Sequence, residues 1–251
     1  MLRYSTTPIR VGLLYPPDLT WIGLREYIER AQGPLILPIG SVESHGAHLP
    51  INTDTLIVSF IADTLAERNG WVSLPPITYT IAIPARPGNV YVPPTVFRGY
   101  LRSILEHFIA FGQKFFVIVM GHGGPDMKSS VRDVCSSLCR EYGVTIAAFH
   151  VSQVLKELRM VDTSKDRHAG MWETSIVMAI DPSLVKSLDM YRSQEDLRVY
   201  GVAGNPLEAS PSVGKEMIEA IVKHVESMVR KLHGVCFFNW AEGQLFIEKL
   251  R

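Results

Sequence analysis

Short apolar runs alternate with longer amphipathic stretches along most of this chain. The runs are rich in Leu, Ile, Val and Phe, which is typical of strands that are buried on both faces of a sheet. The amphipathic stretches repeat their apolar residues every three or four positions, which favours helices. Strands are predicted over residues 33–40, 71–77, 114–121 and 144–151, and helices over residues 54–68, 95–112, 126–143, 171–182 and 212–234. This alternation predicts repeated βα units around a mostly parallel sheet.

Two segments do not follow the alternation. Residues 75–94 are rich in proline, which lacks a backbone N–H and interrupts regular structure, so we expect a long irregular loop there. Loops of that length are often functional or form interfaces. Residues 235–251 are compatible with either an edge strand or a subunit contact. The sequence shows neither an internal repeat nor a linker, so residues 1–251 are predicted to form a single domain.

The composition argues against some classes of partner. Lys plus Arg and Asp plus Glu number 25 each, so no net charge favours nucleic acid or an anionic membrane surface. No segment reaches the roughly 20 consecutive apolar residues of a membrane-spanning helix, and the N-terminal residues lack the apolar core of a secretory signal. Three cysteines in 251 residues do not indicate a disulfide framework. We therefore expect a cytoplasmic protein in a reducing compartment, with no nucleic-acid or membrane partner.

Residues that can bind a metal ion follow the two clearest predicted strands. The loop PIGSVESHGAHLPINTD carries Glu43 and His45, and Asp54 lies in the first turn of the helix that follows. His122 lies two residues after the run KFFVIVM, and Glu173 lies within DRHAGMWETS. Because the carboxyl ends of parallel strands lie at one edge of a sheet, we expect these side chains to converge.

Three carboxylates and two imidazoles suit two divalent transition ions that share a bridging carboxylate. With a bridging hydroxide, the carboxylates would balance the charge of two M²⁺ ions, so the cluster could be buried. Each residue also has an ordinary alternative. Asp54 could favour its helix N-terminus, Glu43 could cap backbone donors, Glu173 could lie on a solvated helix face, and His48 could be a structural hydrogen-bonding residue. The coincidence of the candidate ligands at strand ends favours metal binding.

Several segments, in order along the chain, resemble the creatininase (creatinine amidohydrolase) family. They are LPIGSVESHGAHLPINTDT, the loop around Pro87-Gly88, GHGG at residues 121–124, HAGMWETS at residues 168–175 and GVAGNPLEASPSVGKE at residues 201–216. The resemblance extends over residues 30–230 or so, and its first and fourth segments are the most specific. It implies a three-layer α/β/α sandwich with a mostly parallel central sheet, and a homo-oligomer that is commonly a hexamer.

The resemblance also assigns a role to each candidate ligand. Glu43 and His122 would bind one ion, His45 and Glu173 would bind the other, and Asp54 would bridge the two. The ions would be Zn, Mn or Fe.

His168 and Asp166 are the catalytic residues that the resemblance implies. His168, in the motif HAG, would be the proton shuttle beside the leaving nitrogen, and Asp166 would orient it. The alternative for His168 is a helix-capping or core histidine. Creatininase proper has a glutamate where this chain has Gly124, so Glu173 must complete the ligand set and creatinine is disfavoured as the substrate. The usual asparagine of the motif is Pro125 here, which removes an amide side chain and a backbone donor.

The expected function is metal-dependent hydrolysis of an amide C–N bond in a small molecule, creatininase-like or formamide-hydrolase-like. The nucleophile would be a hydroxide that bridges two divalent ions. One alternative is a two-metal phosphoester hydrolase, which would need cations for the phosphate, and only Lys128 and Arg167 lie adjacent to the motif loops. The other alternative is a metal-stabilised scaffold without turnover.

Overall fold

A five-stranded sheet forms the centre of the protein, which a computed structural model describes over residues 15–83 and 86–240. The strands of this sheet are β1 (Leu35–Ile39), β2 (Val72–Ser73), β3 (Phe115–Met120), β4 (Thr145–His150) and β5 (Cys236–Phe238). Their spatial order is β2-β1-β3-β4-β5, and every neighbouring pair is parallel. The four predicted strands are thus confirmed, and their carboxyl ends lie at one edge of the sheet.

Eight α-helices connect and cover these strands within the described residues. They are α1 (Trp21–Glu29), α2 (Thr53–Asn69), α3 (Pro94–Ala110), α4 (Pro125–Tyr142), α5 (Val151–Glu157), α6 (Met171–Ile180), α7 (Gln194–Val199) and α8 (Pro211–Val229), with short 3₁₀ turns at Pro182–Leu184 and Pro206–Glu208. All five predicted helices are present. Helix α2 ends at Gly70, whose φ of 66° is the left-handed conformation that glycine adopts without steric cost.

Two hydrophobic cores lie on opposite faces of the sheet. Ile36, Val117 and Phe149 pack in one core with residues of α2, α5, α6 and α8. Their neighbours along the strands, such as Leu35 and Ile118, pack in the other core with residues of α1, α3 and α4. Alternate strand residues therefore face different helical layers, which confirms the three-layer α/β/α sandwich. Because both faces are covered, the strands read as continuous apolar runs.

The two segments outside the alternation have different outcomes. The proline-rich loop is irregular, as expected, and it packs against the loop that follows β1, since the Val90 amide donates to the Val42 carbonyl at 2.9 Å. The C-terminal segment supplies the edge strand β5, and residues 241–251 lie outside the described part. The single-domain assignment over residues 1–251 stays a prediction. Within the described residues, no helix combines the length and the apolar character needed to cross a membrane.

The cysteines differ from expectation. Cys139 of α4 and Cys236 of β5 are joined by a disulfide, although they are 97 positions apart in sequence. No local pattern indicated this bond, because only the β4–β5 pairing brings Cys236 beside α4. Cys135 is buried and free. The prediction of a reducing compartment relied on unpaired cysteines, so this bond removes that ground for a cytoplasmic location.

Candidate metal centre

Glycines at the ends of two strands let the first turn of α2 approach the sheet edge. A Cβ atom on Gly40, after β1, would lie 2.5 Å from the Cα of Thr55. A Cβ atom on Gly121, after β3, would lie 2.9 Å from the Cβ of Asp54. A side chain at either position would therefore push α2 away from the sheet. As a result, Asp54 lies between the loop after β1 and the loop after β3, where Ser41 Oγ donates to its Oδ2 at 2.6 Å.

Asp54 is the centre of five converging side chains. Its Oδ1 lies 3.4 Å from His45 Nε2, and its Oδ2 lies 3.7 Å from His122 Nδ1. Glu173 Oε1 lies 3.7 Å from His45 Nε2, and Glu43 Oε2 lies 2.7 Å from His122 Nδ1. The structure therefore brings together all five predicted ligands as two triads that share Asp54.

Buried ligand-type atoms without hydrogen-bond partners indicate that these residues fit metal ions. Among the described residues, His45 Nε2 and His122 Nε2 are buried and make no hydrogen bond. His45 Nδ1 donates to the Glu43 carbonyl at 3.0 Å, which fixes the ring so that Nε2 faces Asp54 and Glu173. Buried polar atoms are costly unless they are paired or bind an ion. Imidazole nitrogen with carboxylate oxygen is the donor set that divalent Zn, Mn or Fe prefers.

The charges in the cluster are strongly coupled. Burial disfavours a charged His45 ring, but the carboxylates of Asp54 and Glu173 outweigh burial and raise the pKa of His45 to about 10. Burial likewise opposes a charged His122, and Asp54 and Glu43 raise its pKa to about 10. Burial raises the pKa of Glu173 to about 8, whereas the two histidines hold the pKa of Asp54 well below its usual range against the effect of burial. The carboxylates thus stabilise positive charge at the positions of both histidine rings.

His48 is part of the same loop but not of the cluster. Its ring is fully buried, and hydrogen bonds join Nδ1 to Tyr191 Oη at 2.8 Å and Nε2 to Thr174 Oγ1 at 2.9 Å. Burial, with a smaller effect from the charge on His45, lowers the pKa of His48 to about 4, so the ring is neutral at pH 7. This is the ordinary structural role that the sequence left open. His48 ties the ligand loop to α6, one residue from Glu173.

His168 lies beside the cluster, with its ring centroid 4.4 Å from that of His45. Its Nε2 donates to the Ser44 carbonyl at 2.8 Å, and the Ser44 amide donates to Asn89 Oδ1 at 2.7 Å. The proline-rich loop therefore supports the residue that orients His168. Burial, followed by the charge on His45, lowers the pKa of His168. The ring is neutral with its proton on Nε2, and within the described residues Nδ1 has no hydrogen-bond partner.

Asp166 has a different partner from the one predicted. Its Oδ2 accepts from the Trp172 amide at 3.0 Å, in the first turn of α6, and Oδ1 has no hydrogen-bond partner among the described residues. A Cβ atom on Gly170 or Gly204 would overlap Oδ1, so the two glycines enclose the carboxylate. Burial raises the pKa of Asp166 to about 6. The hydrogen bond of the His168 ring goes to Ser44 instead, so the expected orienting contact from Asp166 is not present.

A cavity of about 320 Å³ opens onto the cluster. It is lined by Asp54, Gly121, His122, Gly123, Gly124, Lys128, His150, Ser152, Gln153, Thr163, Arg167, His168, Trp172 and Glu173. Sequence reasoning did not assign His150, although it ends the predicted strand VTIAAFHV and so follows the same rule as the other candidates. Its Nε2 donates to the Gly121 carbonyl at 3.1 Å, and Ser152 Oγ donates to its Nδ1 at 3.0 Å. Burial, with a smaller effect from Lys128, lowers the pKa of His150 to about 3, so the ring is neutral.

Gly124 lies against the ring of His122. A Cβ atom at this position would lie 2.9 Å from His122 Nε2, so glycine leaves room for the His122 ring. Glu173 of α6 places a carboxylate in the same cluster, where its side chain is buried against His45. Pro125 is the first residue of α4, where its missing N–H costs no helical hydrogen bond.

Comparisons with curated proteins identify relatives of this chain. The family model described as Creatininase: Creatinine amidohydrolase matches residues 17–229. Creatinine amidohydrolase of Pseudomonas putida is 22% identical over 189 residues, which are 67% of this chain and 72% of that protein. The mycofactocin precursor peptide peptidase of Mycolicibacterium smegmatis is 26% identical over 229 residues, which are 79% of this chain and 85% of that protein.

Solved structures agree with this match. A crystal structure of creatinine amidohydrolase superposes with a TM-score of 0.75 at 19% identity, covering 85% of this chain and 95% of the other. A structure described as Creatininase Mn superposes with a TM-score of 0.72 at 20% identity, covering 85% of this chain and 96% of the other. A creatininase variant described as Zn-Zn type gives a TM-score of 0.71 at 20% identity, with the same coverage. Since the family model spans most of the sequence, this chain belongs to the creatininase family, which includes hydrolases of C–N amide bonds.

Proposed function

We propose that this protein is a metal-dependent amidohydrolase that uses two divalent ions, Zn, Mn or Fe, to cleave an amide C–N bond of a small molecule. The observation that carries the proposal is the position of Asp54, whose two oxygens face two different histidines. Each of those histidines also faces its own glutamate. Glu43 and His122 would hold one ion, His45 and Glu173 the other, and Asp54 would contact both.

Divalent ions held by these five side chains would supply Lewis acidity for the amide carbonyl and lower the pKa of a water molecule. The rest of the chemistry belongs to the chain. His168 accepts at Nδ1 the proton that the attacking water loses and donates it to the departing nitrogen, because Nδ1 of the neutral ring carries a lone pair. The Ser44 carbonyl holds the other ring nitrogen as N–H, so the proton is always exchanged at the same atom.

Asp166 acts in this proposal as a positioning residue. Its carboxylate accepts from the amide of Trp172. His168 and Glu173 lie two and seven residues after Asp166, at either end of the turn that leads into α6. Ala169, between them, has a φ of 51° and directs its amide to the Glu173 carboxylate. Anchoring the start of α6 therefore fixes the proton shuttle and one ligand relative to each other.

The cavity suits a small substrate. Its volume of about 320 Å³ is near the lower end of ligand pockets, which hold roughly 300–1,000 Å³. The relatives act on creatinine in one case and on a mycofactocin precursor peptide in another, so family membership does not identify the substrate. Gly124 and Pro125 stand where creatininase proper has other residues, and we do not assign creatinine as the substrate.

Metal content tests the shared carboxylate directly. Asp54→Asn keeps the size of the side chain but removes its charge, and the variant should lose both ions when it is dialysed and measured by inductively coupled plasma mass spectrometry. Asp126→Asn is the matched control, because Asp126 is also a first-turn carboxylate, of α4, but is exposed. Retention of two ions by Asp54→Asn would remove the bridging role.

Turnover tests the proton shuttle. The metal-loaded protein is incubated with a panel of N-formyl and N-acetyl amines, short peptides, creatinine and bis(4-nitrophenyl) phosphate. We expect release of an amine or ammonia from at least one amide, and loss of that activity by roughly 10²–10⁴-fold in His168→Gln. His107→Gln, on the exposed face of α3, is the control. Full activity of His168→Gln would contradict the assignment, and cleavage of the phosphodiester alone would favour the phosphoester alternative. Inertness on the whole panel with ions bound would favour the scaffold.

We also propose that the protein forms a homo-oligomer, as the family resemblance implies. Large apolar side chains are exposed near the proline-rich loop, among them Tyr79 at 62%, Ile83 at 66% and Tyr100 at 53%. Exposed apolar surface of this kind is typical of interaction sites. Light scattering after size-exclusion chromatography should give a multiple of the 28.1 kDa chain mass, and Tyr100→Lys should lower it. A mass of one chain at micromolar concentration would refute the proposal.

A further inference from the structure

Two basic side chains line the cavity beside the metal cluster. Lys128 lies in the first turn of α4 and is half-buried, and Arg167 lies at the rim, one residue before His168. Within residues 15–83 and 86–240, neither side chain forms an ion pair with a carboxylate. Most other arginines of the surface do so, as Arg102 does with Glu141 and Glu106. The cavity therefore contains positive charge for which the described part of the chain provides no paired carboxylate.

The remaining lining does not offset that charge. Among the described residues, the carboxylates that line the cavity are Asp54 and Glu173, and both belong to the proposed metal cluster. His150 is held neutral by burial, and it uses both ring nitrogens in hydrogen bonds to Gly121 and Ser152. Burial, together with the charge of Lys156 nearby, lowers the pKa of Lys128, which indicates that its ammonium is not stabilised by the protein alone. A half-buried ammonium without a partner is unfavourable unless a ligand supplies the anion.

From this arrangement, and resting on the proposed amidohydrolase function, we infer that the substrate is an anionic amide whose carboxylate is bound by Lys128 and Arg167 while its amide group lies at the metal cluster. Lys128 provides a point charge inside the cavity, and Arg167 provides a planar pair of donors at the rim. A guanidinium binds a carboxylate through two parallel hydrogen bonds. The single negative charge of the carboxylate would be fully compensated by the two positive charges of Lys128 and Arg167. N-acyl or N-formyl amino acids are the simplest molecules of this class.

Matched pairs of substrates separate this inference from the proposed function. The metal-loaded protein is assayed with N-formylglycine, N-acetylglycine and the corresponding alanine compounds, each beside its methyl ester, by fluorescamine detection of the released amine. We expect a lower KM for each acid than for its ester. Lys128→Met should raise the KM for the acids by about 10- to 100-fold, the range of one charge-assisted hydrogen bond, so the ratio of the KM for each acid to the KM for its ester should rise.

Three further variants make the comparison specific. Lys156→Met removes the same charge from an exposed position near Lys128 that does not line the cavity, and it should leave every KM unchanged. Lys128→Arg should restore most of the preference for the acids, which a merely structural role of the lysine stem would not predict. Arg167→Gln should raise the KM for the acids less than Lys128→Met does, because Arg167 is exposed.

A binding measurement does not depend on turnover. N-(methylsulfonyl)glycine carries the carboxylate but has a sulfonamide in place of the amide, and its methyl ester is the neutral control. Isothermal titration should show binding of the acid that weakens in Lys128→Met. If amides are hydrolysed with no preference for acids over esters, the inference is wrong and the proposed function stands. If no amide is hydrolysed but the acid binds through Lys128, the proposed function is wrong and the anion site stands. Tighter Lys128-dependent binding of methyl phosphate than of the sulfonamide acid would overturn the assignment to a carboxylate.

Discussion

The contact between α6 and α8 offers a sharp test of how the fold holds Glu173. Gly214 lies in the first turns of α8, and a Cβ atom there would overlap the backbone carbonyl of Ser175 and lie 2.9 Å from the Cβ of Ala179. Gly214→Ala must therefore separate the two helices. Overpacking of this kind costs about 1 to 3 kcal/mol, and we take the upper value because a backbone carbonyl cannot rotate away. The higher helix propensity of alanine offsets about 1 kcal/mol.

The net expectation for Gly214→Ala is a loss of about 2 kcal/mol in the free energy of unfolding, which urea titration followed by circular dichroism measures. Gly99→Ala is the matched control, because Gly99 also lies within a helix, α3, and is exposed, and a Cβ atom there would meet no other atom within 4 Å. That variant should be more stable by up to about 1 kcal/mol. Since Ser175 follows Glu173 by two residues, Gly214→Ala should also bind metal more weakly. Equal stability of Gly214→Ala and the native protein would refute the packing argument.

The titrating groups and the disulfide give three more predictions. The pKa of His48 is lowered to about 4 in the folded state, so the free energy of unfolding decreases as pH falls from 6.5 to 4. In urea titrations over that interval, His48→Gln should show a smaller decrease in the free energy of unfolding than the native protein. The pKa of Asp166 is raised to about 6 in the folded state, so the free energy of unfolding falls as pH rises from about 4 to 6. Asp166→Asn should remove that fall. An unchanged dependence of the free energy of unfolding on pH would contradict the burial argument. In denaturant without reductant, alkylation should label one cysteine per chain, and three after reduction, since Cys139 and Cys236 are paired; three labels in both would disprove the bond.

The sequence predicted the parts of the fold that depend on local patterns. Strands β1, β3 and β4 are buried on both faces, so each appears as a continuous apolar run between glycines or polar residues. Helix α2 ends where Asn69-Gly70 permits a left-handed cap. Helix α1 was not predicted, since its exposed Trp21 and Ile22 disturb the amphipathic pattern on which such a prediction depends.

The candidate site was predictable in its composition but not in its connections. Glu43, His45 and His122 converge because they follow parallel strands, whose carboxyl ends lie together. The first turns of α2 and α6 bring Asp54 and Glu173 to the same edge of the sheet. The partners of Asp166 depend on the turn at Gly170, and the acceptor for His168 is the carbonyl of Ser44, which no side-chain pattern reveals. The pairing of Cys139 with a distant cysteine depends in the same way on strand order. The sequence therefore predicted which side chains converge, but it did not predict backbone hydrogen-bond partners or the disulfide.

The two glycines that follow β1 and β3 separate the requirements of architecture from those of chemistry. Gly40 and Gly121 have no side chain that could bind a substrate or an ion, yet a methyl group on either would displace α2. A descendant of this protein that had lost every histidine and carboxylate of the cluster would still need both glycines to fold. Such inactive descendants would keep a recognisable fingerprint at the two strand ends, and a search for those glycines would find them where a search for the ligands would not.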